Sequence, residues 1–98
     1  MIIEKDLSGS SVVVRIDGRI DSVTSPKLKS ALEELPPDIQ NIVLDFKNVP
    51  YISSAGLRVL LINHKKMLGC GTMSISNVSE DVMDVFEITG FKDVLNIV

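Results

Sequence analysis

Ninety-eight residues suit one domain and leave no room for a second. The chain is 45% hydrophobic but holds no Trp and only four aromatic residues (Phe46, Tyr51, Phe86, Phe91), so Val, Ile, Leu and Met must make its core. A net charge of −3 excludes nucleic acid and anionic membrane as main partners, and a lone Cys70 excludes an internal disulfide.

The start, Met1-Ile2-Ile3-Glu4-Lys5-Asp6, does not read as a signal peptide, and no apolar run approaches membrane-spanning length. A cytoplasmic protein is expected. No Cys/His cluster suggests a structural metal, and no cofactor is expected.

Ile2 to Lys5 is short and β-prone, and Asp6-Leu7-Ser8-Gly9-Ser10 has turn chemistry. Ser11 to Asp17, with three valines and Ile16, reads as a strand that pairs with the first in a hairpin. Gly18 to Val23 reads as a loop. Thr24-Ser25-Pro26 announces a helix: Thr24 or Ser25 would cap it, and Pro is tolerated where the N–H has no partner. Leu28, Ala31, Leu32 and Leu35 then repeat at helical spacing until Pro36-Pro37 stops the run.

Ile42-Val43-Leu44-Asp45-Phe46 is nearly all apolar, as expected of a strand covered on both sides or central in its sheet. The run from Tyr51 to Leu61 follows. Two serines, Ser53 and Ser54, stand where strand gives way to helix, a place suited to an N-cap or to an anion. In the second helix Leu57, Leu60, Leu61, His64 and Leu68 would share the inward face. Val59, Ile62 and Met67 make it apolar over much of its girth, so it should be well buried. Gly69-Cys70-Gly71 ends it, and Thr72 to Ser76 reads as a strand. Ser79-Glu80-Asp81 caps a third helix, with Val82, Val85, Phe86 and Thr89 inward and Gly90 as its stop. Asp93 to Val98 would close as a short strand. The order is β-β-α-β-α-β-α-(β), an α/β domain with a mixed sheet.

Several chemistries can be set aside. The surroundings of Ser54 are not the G-x-S-x-G of hydrolases. The only histidine, His64, lies roughly 15 Å along the same helix and cannot serve a serine at its start. Gly69-Cys70-Gly71 precedes a strand and does not open a helix, so it is no dinucleotide loop. Asp21 and Asp45 stand at or near the C-terminal ends of strands, where ligands gather in open α/β sheets. Each also has a plain structural reading: an Asx-turn for Asp21, a solvated strand end for Asp45.

The run from Ile42 through Phe46, Val49 and Tyr51 to Leu61 resembles the signature of STAS domains, and more closely that of bacterial anti-sigma-factor antagonists. The loop Gly18-Arg19-Ile20-Asp21 with Thr24 is similar to that family's second motif. The resemblance covers the whole chain. It implies a single STAS-like domain over residues 1–98, with a mixed four- to five-stranded sheet and three main helices. It also implies a regulatory protein and not an enzyme. Such a protein binds an anti-sigma factor that is also a serine kinase and so releases a sigma factor. Phosphorylation at the start of the second helix ends the binding, and a PP2C-type phosphatase restores it. Ser54 falls on the phosphosite. Ser53 stands where the family often has Asp, and is the alternative site. Partner contacts would involve Asp21, Val23, Thr24, Tyr51, Ile52, Ser53, Ala55, Gly56 and Arg58, in a monomer or weak dimer with no direct contact to nucleic acid or membrane. A rival reading is a constitutive subunit of a transporter or sensor assembly without a phosphoswitch. A nucleotide or small-molecule sensor ranks below both, for want of a phosphate loop or basic cluster.

Overall fold

A computed structural model describes residues 1–98. The elements are β1 (Ile2–Ser8), β2 (Ser11–Asp17), α1 (Ser25–Glu33), β3 (Asn41–Asn48), α2 (Ser54–Met67), β4 (Thr72–Ser76), α3 (Glu80–Thr89), a 3₁₀ turn (Phe91–Asp93) and β5 (Asn96–Ile97). The sheet has five strands in the order β1-β2-β3-β4-β5. β1 and β2 form the expected hairpin, in register from Ile2 opposite Asp17 to Ser8 opposite Ser11. β1 runs three residues further than its sequence suggests. Only Gly9, with φ +61°, and Ser10 are left for the turn. The remaining pairs are parallel.

This strand order decides where the helices go. Each parallel crossover steps to the next strand in the same direction, and crossovers are right-handed. All the helices therefore fall on one face of the sheet. The registers agree: Val12, Ile42 and Met73 lie side by side, as do Val14, Leu44 and Ile75, and all are buried. The other face carries Glu4, Arg15, Asp45 and Ser76 in one row, and no helix covers it. Of the two readings of β3, central in its sheet holds and covered on both sides does not. Val43 and Asp45 are half-buried on the open face, whereas Ile42, Leu44 and Phe46 enter the core.

Phe46 meets Phe86 of α3 with ring centroids 6.4 Å apart. α3 matches its sequence signals: the Ser79 hydroxyl accepts the Val82 N–H at 3.3 Å, and Gly90 closes the helix at φ +78°. Val82 and Phe86 are buried. Thr89, expected inward, is exposed and returns its hydroxyl to the Val85 carbonyl at 2.7 Å. In α1, Leu28, Ala31 and Leu32 are buried as expected, and Leu35 lies just beyond the helix.

The inward face of α2 is rotated from the one expected. Gly56, Leu57, Leu60, Asn63 and Met67 are buried, Leu61 and His64 are half-buried, and Leu68 is exposed. Leucines surround this helix, so apolarity alone did not fix its orientation. Asn63 can occupy the buried stripe because its amide donates to Met73 Sδ at 3.1 Å. One side of α2 remains open, with Ile62 57% exposed.

Candidate functional site

The site forms where two loops meet at the C-terminal ends of β2 and β3. Residues 18–23, expected to be only a loop, carry a short parallel bridge between Ile20 and Ile52. The Ile20 N–H donates to the Tyr51 carbonyl at 2.9 Å, and the Ser53 N–H donates to the Ile20 carbonyl at 2.8 Å. Both isoleucines are buried, so this bridge is fixed in the core. Asp21 follows one side of it directly; Ser53 and Ser54 follow the other. The bridge thus brings together the two motifs that the sequence holds some thirty residues apart.

Gly56 makes this closeness possible. A Cβ there would stand 2.6 Å from Ile20 Cγ2 and 2.7 Å from Ile52 Cγ1. Gly56 and Ile52 were expected among the partner contacts. Both are buried, Ile52 at 1% exposure, so they seat the helix on the loops and offer a partner no surface. Gly56→Val should therefore destabilise by about 1–3 kcal/mol through overpacking. An unchanged urea midpoint would contradict this.

The two serines divide their tasks. Ser53 is the N-cap of α2, in extended conformation, and its hydroxyl accepts the Gly56 N–H at 3.5 Å. Ser54 is the first residue of the helix. It is exposed, and its hydroxyl takes no part in capping. Ser53→Ala should cost about 0.5–1 kcal/mol, low in the range for caps because 3.5 Å is long for such a bond. Ser54→Ala should leave the urea midpoint nearly unchanged. The reverse order of losses would assign the cap to Ser54.

Asp21 forms an Asx-type turn. Its Oδ1 accepts the N–H groups of Val23 and Thr24, each at 3.0 Å. The Thr24 hydroxyl does not cap α1. It accepts the Asp21 N–H at 2.9 Å and donates to the Arg19 carbonyl at 2.7 Å, so it closes the loop on itself. The Thr24 N–H, most of all, holds the Asp21 carboxyl below the usual carboxylate range; the Val23 N–H, the Thr24 hydroxyl and the Arg19 guanidinium add to this. Asp45 is likewise lowered, chiefly by the Asn77 side-chain amide at 3.0 Å and then by the Lys47 N–H. Asp45 faces the open side of the sheet and ties β3 to Asn77, so it is a structural strand-end acid and not part of this site.

The sign of the pH dependence follows. A carboxylate favoured by the fold contributes stability at neutral pH, and loses it as pH falls through its lowered folded value. The stability gap between the wild type and Asp21→Asn should be present at neutral pH and close below about pH 4. A gap that stays constant in acid titrations of urea stability would refute this role for the charge.

Around the serines the surface is mixed. Val23 is 83% exposed and Tyr51 39%. Arg19, which sequence reasoning left out of the site, lies over the Tyr51 ring at 4.4 Å from its centroid, with its Nε 3.9 Å from Asp21 Oδ2. Its place in the Gly18-Arg19-Ile20-Asp21 motif, two residues before the loop acid, was the hint of it in the sequence. Ala55 is half-buried and Arg58, one turn beyond Ser54, is exposed. His64 is half-buried three turns away, with its Nδ1 buried and unpartnered. No group of three or more His, Cys, Asp or Glu is arranged to hold a metal ion. No helix is long and apolar enough to cross a membrane.

The family model described as STAS domain matches residues 3–98. The anti-sigma-B factor antagonist of Bacillus subtilis (strain 168) is 33% identical over 90 residues, which is 90% of this chain and 82% of that protein. A crystal structure of an anti-sigma factor antagonist from Mycobacterium paratuberculosis superposes with a TM-score of 0.88 at 22% identity, covering 98% of this chain and 83% of that one. The phosphorylated form of the Bacillus cell fate determinant SpoIIAA superposes with a TM-score of 0.74 at 16% identity, covering 99% of this chain and 91% of that one. With a family match that spans the whole sheet and both loops of the site, the chain belongs to the STAS domain family, and its relatives there include anti-sigma factor antagonists.

Proposed function

We propose that this protein is an anti-sigma factor antagonist, switched by phosphorylation of Ser54. In its unmodified form it binds an anti-sigma factor that is also a serine kinase, and a sigma factor is released. Phosphorylation of Ser54 ends that binding, and a PP2C-type phosphatase restores it. The protein acts in the cytoplasm as a binding partner, without catalysis of its own.

The observation that carries this reading is the division between the serines. Ser53 is held in the cap, whereas Ser54 is exposed with a free hydroxyl, next to the Asp21 loop. A phosphate on Ser54 would bring about −2 charge to a small uncharged side chain in the neighbourhood of Val23, Tyr51 and the Asp21 carboxylate. That reverses the local character of the contact surface without refolding the chain. Asp21, Val23, Thr24, Tyr51, Ser53, Ala55 and Arg58 remain as candidate contacts, with Arg19 added. Incubation with the cognate anti-sigma kinase and ATP, followed by mass spectrometry, should find phosphate on the peptide that contains Ser54. A peptide without phosphate would overturn the switch, and phosphate on Ser53 would move it by one residue.

A further inference from the structure

Helices α1 and α2 lie side by side and leave an open groove of about 580 Å³ along their seam. Val59 and Ile62 of α2 line it, the latter exposed to solvent. Lys29 of α1 and Arg58 and Lys66 of α2 line it too, against the single acid Glu33. Glu33 lies 3.9 Å from Lys29 on its own helix. Arg58 and Lys66 have no acidic partner within the chain. The groove is thus cationic on a protein whose net charge is −3.

The spacing is informative. Arg58, Ile62 and Lys66 stand four residues apart, so one stripe of α2 reads cation, apolar, cation. Its charges are separated by about 12 Å along the helix axis. We propose that this groove docks an amphipathic helix of a protein partner, with apolar residues against Val59 and Ile62 and acids about two turns apart against Arg58 and Lys66.

The groove walls explain why a helix fits and an extended peptide does not. Both walls are α-helices whose backbone groups are already bonded internally, so an extended segment would find no backbone partners there. A helix brings its own hydrogen bonds and needs only side-chain complementarity. A single-headed anionic amphiphile would answer one cation and leave the other unpaired. The groove begins at Ala55, beside Ser54, so a helix in it would continue the surface proposed above. The inference does not require Ser54 to be a phosphosite.

The test is an NMR titration of the ¹⁵N-labelled full chain with a synthetic Ala-based peptide about 18 residues long, enough to hold a helix in water. It carries Leu along one stripe and pairs of Glu two turns apart flanking it. The expected result is shift changes centred on Lys29, Arg58, Val59, Ile62 and Lys66. Arg58→Glu with Lys66→Glu should weaken binding at least tenfold, with an unchanged melting temperature as the control for folding. A peptide with every Glu replaced by Lys should not bind. Equal binding of that Lys peptide, or shifts centred elsewhere, would overturn the inference. So would laurate moving the same amides when the Glu peptide does not. If sedimentation shows that the wild-type chain self-associates and the double variant does not, a second copy covers the groove and the inference also fails. None of these readouts involves a kinase, so they stand apart from the Ser54 switch.

Discussion

Ser54→Asp should weaken binding to the anti-sigma factor more than a hundredfold while the fold stays intact. Ser54 is exposed and does not cap α2, so its replacement removes no internal bond. An acid in the first turn of a helix is favourable by about 0.3–1 kcal/mol, and α2 has no acidic residue there. In the complex the same carboxylate would be desolvated next to Asp21. A penalty of about 3 kcal/mol corresponds to more than a hundredfold in Kd. Calorimetric titration against the anti-sigma factor, paired with a thermal melt, reads both effects. Binding as tight as wild type by Ser54→Asp, together with a loss in Ser53→Asp, would place the switch on Ser53.

Leu60→Ala should lower the unfolding free energy by about 2–5 kcal/mol, and Leu61→Ala by about 1 kcal/mol. The two leucines are neighbours of equal size, and the structure separates them. Leu60 is 0% exposed in the seam between α2 and the sheet, whereas Leu61 is half-buried. Truncation at Leu60 leaves a cavity under the helix; truncation at Leu61 leaves space that solvent can fill. Urea titrations of both variants decide the matter. Equal losses would mean that the helix is turned relative to the orientation described.

The strands were legible because β-branched residues alternate or cluster between turn residues, as in Ser11–Asp17. The helix stops were legible for a similar local reason: Gly69 and Gly90 take φ of +83° and +78°, which most side chains resist. What failed was non-local. Val43 looked like core because its strand is apolar, but strand order put it on the face that no helix covers. The inward stripe of α2 was misread because Leu61 and Leu68 outrank Asn63 in hydrophobicity. Nothing near Asn63 in the sequence announces that Met73 will receive its amide.

The site divides in the same way. Ser53, Ser54 and Asp21 could be found from their motifs. Which serine caps α2 was not legible, since either could, and the Ile20–Ile52 bridge decides it by holding Ser53 in extended conformation before the helix. Arg19 over Tyr51 depends on two loops meeting, and no period or propensity encodes that.

The strand order has a further consequence, for the way the chain emerges from the ribosome. Every strand is hydrogen-bonded to the strand made just before it. The β1–β2 hairpin closes over a two-residue turn and needs nothing downstream. β3 and then β4 each join the open edge of what already exists, and each crossover helix settles on the same side as the last. No strand has to be threaded between two earlier ones, and none waits unpaired for a sequence not yet synthesised. The β1 edge stays free throughout, so growth exposes one new edge at a time, and an open edge is the aggregation hazard of a nascent sheet. Growth ends at β5, which joins the last edge with only two residue pairs, Ser74 with Asn96 and Ile75 with Ile97.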